Sequence, residues 1–124
     1  MPKPSSPKSP RRSACPVACT LDLLGDRWTL LLIRDLVTGK SRYGEFLDSA
    51  EGITTNILAE RLKRLESAGI ITSATYQDNP PRYAYTLTRK GEELKSVLGA
   101  VAQWGVRNIA NVKAHPILAS YLDR

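Results

Sequence analysis

The sequence predicts a mainly α-helical domain carrying one small β-hairpin. Three observations carry that prediction. Between Gly52 and Ile71 apolar residues return at helical spacing, with Leu58, Leu62 and Leu65 at i, i+4 and i+7. From Ile70 to Leu87 the pattern turns β-branched and alternating, interrupted by Asn79-Pro80-Pro81. The whole chain is 124 residues, enough for one domain with a modest core and too short for two ordinary ones.

The charge is uneven. Eighteen Lys and Arg against twelve Asp and Glu give +6, but Lys3, Lys8, Arg11 and Arg12 stand in an acid-free start. From Pro16 onward the balance is only +2. Any nucleic-acid argument therefore rests on where the charges sit. Residues 1–13, with Pro at 2, 4, 7 and 10, read as a disordered basic tail, either a DNA-touching arm or a plain solubilising segment. No apolar run approaches the ~18 residues of a membrane span. No apolar stretch follows the N-terminal basic residues as in a secretory signal. A cytoplasmic, nucleoid-associated protein with no membrane partner is expected. Cys15 and Cys19 are too few and too close for a disulfide scaffold.

A first helix is predicted from Pro16 to Leu24, with Val17, Leu21 and Leu24 on one face and Gly25 as its stop. Asp26 caps a second, Arg27 to Val37, with Trp28, Leu31, Leu32 and Leu36 inward and Gly39 ending it. A short third helix follows Ser41 and ends near Ala50, with Tyr43, Phe46 and Leu47 at i, i+3 and i+4. A turn containing Gly52 leads into the fourth. Thr54 or Thr55 supplies its N-cap oxygen, and Gly69 suits the left-handed position beyond its end. About fourteen residues make a rod of roughly 20 Å, long enough for a DNA major groove. Taken alone, it reads first as an ordinary surface helix with solvated charges. Two helices joined by a few residues including Gly form a helix-turn-helix. Strands Ile70–Tyr76 and Arg82–Leu87, the second with Tyr83, Tyr85 and Leu87 on one face, add a hairpin. Helix, helix, hairpin is the order of a winged helix-turn-helix.

Thr88 then caps a last helix to about Val112, striped with Leu94, Val97, Leu98, Val101, Ala102 and Trp104. Some 24 residues, ~36 Å, exceed what the core needs. Its stripe, with Val17 and Leu21 of the first helix, is expected to form a two-fold dimer interface. The expected organisation is tail 1–13, winged helix-turn-helix with dimerisation helices 14–112, and a C-terminal extension 113–124 of no assigned role.

Several blocks resemble HxlR-type winged-helix regulators. They are Cys15-Pro16-Val17, Leu23-Leu24-Gly25-Asp26-Arg27-Trp28-Thr29-Leu30-Leu31, Arg34-Asp35-Leu36 with Gly39, and Arg42-Tyr43-Gly44-Glu45-Phe46. Further on come Gly52-Ile53-Thr54, Leu58, Arg61-Leu62, Leu65-Glu66, Gly69-Ile70-Ile71 and Pro80 through Thr88. The likeness runs in order from about Cys15 to Asn108. It implies a homodimeric bacterial transcription regulator, and in several such proteins a cysteine near the first helix senses electrophiles or oxidants.

On that footing double-stranded DNA and a second copy are the expected partners, with no cofactor. Thr54, Thr55 and Asn56 should read base edges, since Asn bonds adenine bidentately and a Thr methyl packs on thymine. Lys63 and Arg64 should hold phosphates, while Arg61, nearer the buried stripe, packs or reaches the backbone. Ser41, Arg42 and Tyr43 should touch phosphate from the preceding helix, and Arg82 should enter the minor groove from the wing. Repression from an inverted repeat is the expected mode.

Cys15 precedes Pro16 at a helix N-terminus, where unpaired amides favour a thiolate. It is the expected switch for a small electrophile or oxidant, although small buried hydrophobes are the ordinary role of such cysteines. Cys19 lies outside the family likeness. Three alternatives stay open: a metal sensor using Cys15, Cys19 and His115, a small-ligand-responsive regulator, and a winged helix used only for protein contacts. An enzyme is not expected, because no Gly-rich phosphate loop, nucleophile–base pairing or metal-ligand cluster is present and there is one histidine.

Overall fold

The computed structural model describes residues 13–113. The described chain runs α1 (Pro16–Leu24), α2 (Thr29–Val37), α3 (Tyr43–Leu47), α4 (Thr55–Ser67), β1 (Ile71–Asp78), β2 (Pro81–Leu87), α5 (Arg89–Glu92) and α6 (Leu94–Asn108). It is mostly helical with one antiparallel hairpin, as expected. The tail at 1–12 and the extension from 114 onward, with His115, lie outside the described residues.

α1 has the expected bounds, with Pro16 in its first turn, where a missing amide hydrogen costs nothing. α2 begins two residues later than Arg27. Trp28 is its cap residue, and Asp26 closes the turn ahead of it by accepting from the Trp28 amide at 3.0 Å and from the Thr29 hydroxyl. α3 is shorter than expected and stops at Leu47. In α4 Thr54 is the cap, its hydroxyl oxygen accepting the Ile57 amide at 3.3 Å. Gly69 sits at φ +76°, the left-handed conformation a side chain would disfavour.

The core gathers Leu32 and Ile33 of α2, Phe46 of α3, and Leu58, Leu62 and Leu65 of α4. Leu24, Ile53, Ile70, Ile71 and Leu98 complete it. Fully burying one such side chain is worth roughly 1.5–3 kcal/mol. Three leucines at helical spacing therefore fix the roll of α4 about its axis, and with it the face left outside.

β1 and β2 pair from Ile71↔Leu87 to Asp78↔Pro81, with an irregularity between Thr75 and Gln77. Both strands run closer to the tip than expected, leaving Asn79-Pro80 as the turn. The alternation splits: Tyr85 and Leu87 pack on the core, but Tyr83 is exposed beyond its edge. A marginal two-stranded hairpin needs support. It gets some from Ser41, whose carbonyl accepts the Tyr85 amide at 2.8 Å, and from an Arg42↔Ala84 bridge.

The single long last helix is corrected. Thr88 caps only the short α5, accepting the Gly91 amide at 3.1 Å, and a separate α6 follows Glu93 and ends at Asn108 rather than Val112. The interruption is one residue, Glu93, whose backbone stays in the helical region. Gly91 lies against the start of β1 so closely that a Cβ there would come within 2.1 Å of the Ile70 carbonyl oxygen. The first turn is thus held on the hairpin, while α6 buries Leu98 and Gly99 in the core.

Candidate nucleic-acid interface

The roll of α4 turns Thr55, Asn56, Ala59, Glu60, Lys63, Glu66 and Ser67 outward. Thr54, at the cap, is also exposed, but one lone pair of its hydroxyl already serves the Ile57 amide. Lys63 makes no ion pair among the described residues, so its ammonium is available. Ala59 lies one turn beyond Thr55 and Asn56 on the same face and was overlooked in favour of polar neighbours. Its spacing was the available signal, and a small methyl suits contact with a thymine methyl.

Arg64 does not join that face. Its Nη2 donates to Asp26 Oδ1 at 3.2 Å and to the Thr29 hydroxyl oxygen at 3.3 Å. Arg61 Nε donates to Asp26 Oδ2 at 2.8 Å, and its Nη1 pairs with Glu60. The leucine stripe places both arginines at its edge, over the start of α2. Phosphate contact by Arg64 therefore has a competing internal partner. Burial pushes the Asp26 carboxyl up, but the bonds from Thr29, Arg61 and the Trp28 amide, with the charge of Arg61, outweigh it. The carboxyl is held well below the usual carboxylate range.

The preceding helix is also altered from expectation. The Ser41 and Arg42 amides both donate to Glu45 Oε1 at 2.9 Å, so they are not open to phosphate. These bonds lower the Glu45 carboxyl pKa. The Tyr43 hydroxyl donates to the Thr55 carbonyl at 2.9 Å, tying α3 to the start of α4. Arg42 lies 4.2 Å over the Tyr76 ring, a cation–π contact that carries its guanidinium onto the hairpin. Beside it, Tyr43 and Gly44 of α3 and exposed Tyr76, Arg82 and Tyr83 of the wing line a cleft of about 350 Å³.

A second clamp holds the turn before α4. Arg34 donates to Glu51 at 2.8 and 2.9 Å and to Asp35 Oδ1 at 2.7 and 3.0 Å. The Glu51 bond raises the guanidinium pKa against burial, with Asp35 adding to the rise.

Away from this side, Val17 (66% exposed) and Leu21 on α1 and Val97, Val101 and Trp104 (63%) on α6 lie open. Leu98, 6% exposed, lies in the core of the chain and partly buried Leu94 packs against it, so of the expected stripe these two face inward. Helical periodicity marks an apolar face without saying which neighbour covers it. Cys15 is exposed at the α1 cap, its amide donating to the Ser13 hydroxyl oxygen at 3.1 Å. Cys19 is half-buried, its thiol donating to the Ser13 carbonyl at 3.3 Å. Neither is in a disulfide.

A helix-turn-helix braced by a β wing, with the polar face of its second helix uncovered, defines a DNA-binding transcription regulator. The chain belongs to the HxlR-like helix-turn-helix family, whose model matches residues 23–113. It is 41% identical over 91 residues to the HTH-type transcriptional regulator sll1512 of Synechocystis, covering 73% of this chain and 67% of that one. It is 34% identical over 99 residues to the HTH-type transcriptional regulator YybR of Bacillus subtilis, covering 80% and 79%. Among solved structures, the oxidized form of the redox regulator HypR superposes with TM-score 0.69 at 35% identity, over 76% of this chain and 97% of that one. The reduced transcriptional regulator YodB from B. subtilis gives 0.64 at 32%, over 82% and 100%. The relatives and the fold are those of regulators, which are not enzymes. No helix among the described residues is long and apolar enough to cross a membrane.

Proposed function

We propose that this protein is a homodimeric repressor that binds an inverted repeat and is released by oxidation or electrophile attack at Cys15. One observation carries the DNA-reading part: α4 leaves Thr55, Asn56, Ala59 and Lys63 uncovered on the side opposite its buried leucines. Asn56 bonds a base edge, Thr55 and Ala59 supply methyl contacts, and Lys63 neutralises phosphate. Arg42 and Arg82 contact the backbone or minor groove beside the wing. Two copies joined through Val17, Leu21, Val97, Val101 and Trp104 set two such helices against one face of the duplex. The working unit spans residues 14–112.

The redox part rests on likeness to HypR and YodB and on the exposed position of Cys15 before Pro16. Cys15 attacks an oxidant or electrophile as the thiolate, and the added group disturbs the α1 part of the interface.

Selected-site footprinting of the full chain tests this reading. Protection of two half-sites, centred about 34 Å or a multiple apart, is expected, with protection lost on diamide treatment and kept in Cys15→Ser. Protection of a single asymmetric site by a monomer would refute the dimeric reading. A Cys15→Ser variant that still responds to diamide would remove Cys15 from the mechanism.

A further inference from the structure

A groove of about 560 Å³ lies between α2, the turn before α4 and the far half of α6. That volume is in the range of small-molecule sites, about 300–1,000 Å³. Its two walls differ in kind. Ala102, Val106, Ile109 and Val112 form an apolar wall from α6 and the residues after it. The facing wall carries Arg34, Asp35, Lys40 and Glu51, with Lys113 at the rim. Three cations against two carboxylates leave that lining with one net positive charge. The polar wall is ordered: Lys40 Nζ donates to the Ser49 hydroxyl oxygen at 2.9 Å, and that hydroxyl donates to Asp35 Oδ2 at 2.6 Å. The space at the apolar wall is real, because a Cβ built at Gly105 meets nothing within 4 Å.

We infer that this groove binds a small monocarboxylate with an aryl or branched-alkyl body. The body lies on Val106, Ile109 and Val112, and the carboxylate meets Arg34, Lys40 and Lys113. A single negative charge matches the net charge of the lining, and one apolar wall matches one apolar body. Glu51 is the internal carboxylate already on Arg34 and stands three residues before the α4 cap Thr54. A ligand carboxylate competes with Glu51 for that guanidinium and so loosens the turn that sets the start of α4. This last consequence rests on the reading of α4 as the DNA-contacting helix. The site itself does not.

The test is an NMR titration of the full-length protein with phenylacetate, and with phenylacetamide as its uncharged analogue. Phenylacetate is expected to shift the amides of Glu51, Gly105 and Val106 saturably. Phenylacetamide should bind at least about tenfold more weakly, because a charge-assisted bond is roughly twice as strong as a neutral one. Gly105→Leu fills the groove and should abolish binding while leaving the helical circular dichroism intact. The inference is overturned if phenylacetate, benzoate and 4-methylpentanoate all leave those amides unmoved. Equal affinity for the amide, or unchanged binding in Gly105→Leu, also overturns it. So does a groove already filled by a second copy, seen when Gly105→Leu alone changes the sedimentation coefficient. Operator affinity is measured separately: operator binding that the ligand leaves unchanged supports the site and counts against the coupling through Glu51, while no operator binding at all counts against the DNA reading of α4.

Discussion

Lys63 and Arg64 are adjacent on α4, and the fold gives them opposite surroundings. Lys63 is exposed and pairs with no acid among the described residues. Arg64, with Arg61, turns to the back of the helix and shares Asp26 with the start of α2. The two faces of α4 thus use positive charge for different ends. The front leaves it free for a phosphate, and the back spends it holding the helix in place. Counting basic residues on such a helix therefore overstates how many are left uncovered. The front is also the less committed face energetically around Thr55, Asn56, Ala59 and Lys63, whose side chains make no hydrogen bond or ion pair among the described residues, whereas Glu60 pairs with Arg61 and Glu66 accepts from the Ser73 hydroxyl.

The largest effect should come from breaking the back. Asp26→Asn removes the carboxylate that two arginines and the α2 turn share. It should cost about 2 kcal/mol of stability, in the range for hydrogen bonds to charged groups, read as a lower urea midpoint. The pH dependence has a definite sign. The folded carboxyl is held below its unfolded value of about 3.9. Its contribution is therefore fully present above that value and lost as pH falls through the folded one. The stability gap between wild type and Asp26→Asn should be constant from about pH 5 to 7 and close below about pH 4. A gap that is the same at pH 3 as at pH 7 would show that Asp26 acts by shape alone.

Next comes the front. Asn56→Ala should leave stability within about 0.5 kcal/mol and alter sequence preference at one base position per half-site by about 1–3 kcal/mol. Unchanged preference in a selected-site experiment would move the reading function to Thr55 or Ala59. Glu51→Gln tests the other clamp and should cost about 1 kcal/mol. Faster amide exchange at Gly52 and Ile53 should accompany it.

The smallest effect sharpens the contrast most. Lys63→Ala should weaken binding to all sequences alike and flatten the salt slope by about one unit. Arg64→Ala should lower stability and leave that slope where it was. Equal changes in slope for the two variants would mean that Arg64 leaves Asp26 when DNA binds.

Much of this architecture was legible in the residues. Leu58, Leu62 and Leu65 marked the buried side of α4, and Thr54 and Gly69 marked its limits, because caps and stripes act within a few residues of themselves. The exposure of Thr55 and Asn56 at the start of α4 was legible for the same reason. Ala59, three and four residues on, shares that exposed face, which its spacing alone indicates. The partners of Arg64 were illegible: Asp26 is 38 residues away in the chain, and nothing local pairs them. The close seat of Gly91 on the Ile70 carbonyl was hidden too, since Gly91 is tolerable in an isolated helix and that contact exists only after packing.

By itself the sequence determined the order of helices and strands as far as β2, the buried stripe of α4, and membership of a regulator family through blocks such as Gly25-Asp26-Arg27-Trp28 and Pro80 to Thr88. Those are properties of hydrophobic spacing and turn chemistry, which operate over one or two helical turns. Only the tertiary structure decided which cations stay free, which amides of α3 are already taken by Glu45, and which residues of α6 turn to the core or outward. Each of those depends on bringing distant carboxylates, carbonyls and side chains within about 3 Å, a distance that only the packed fold sets.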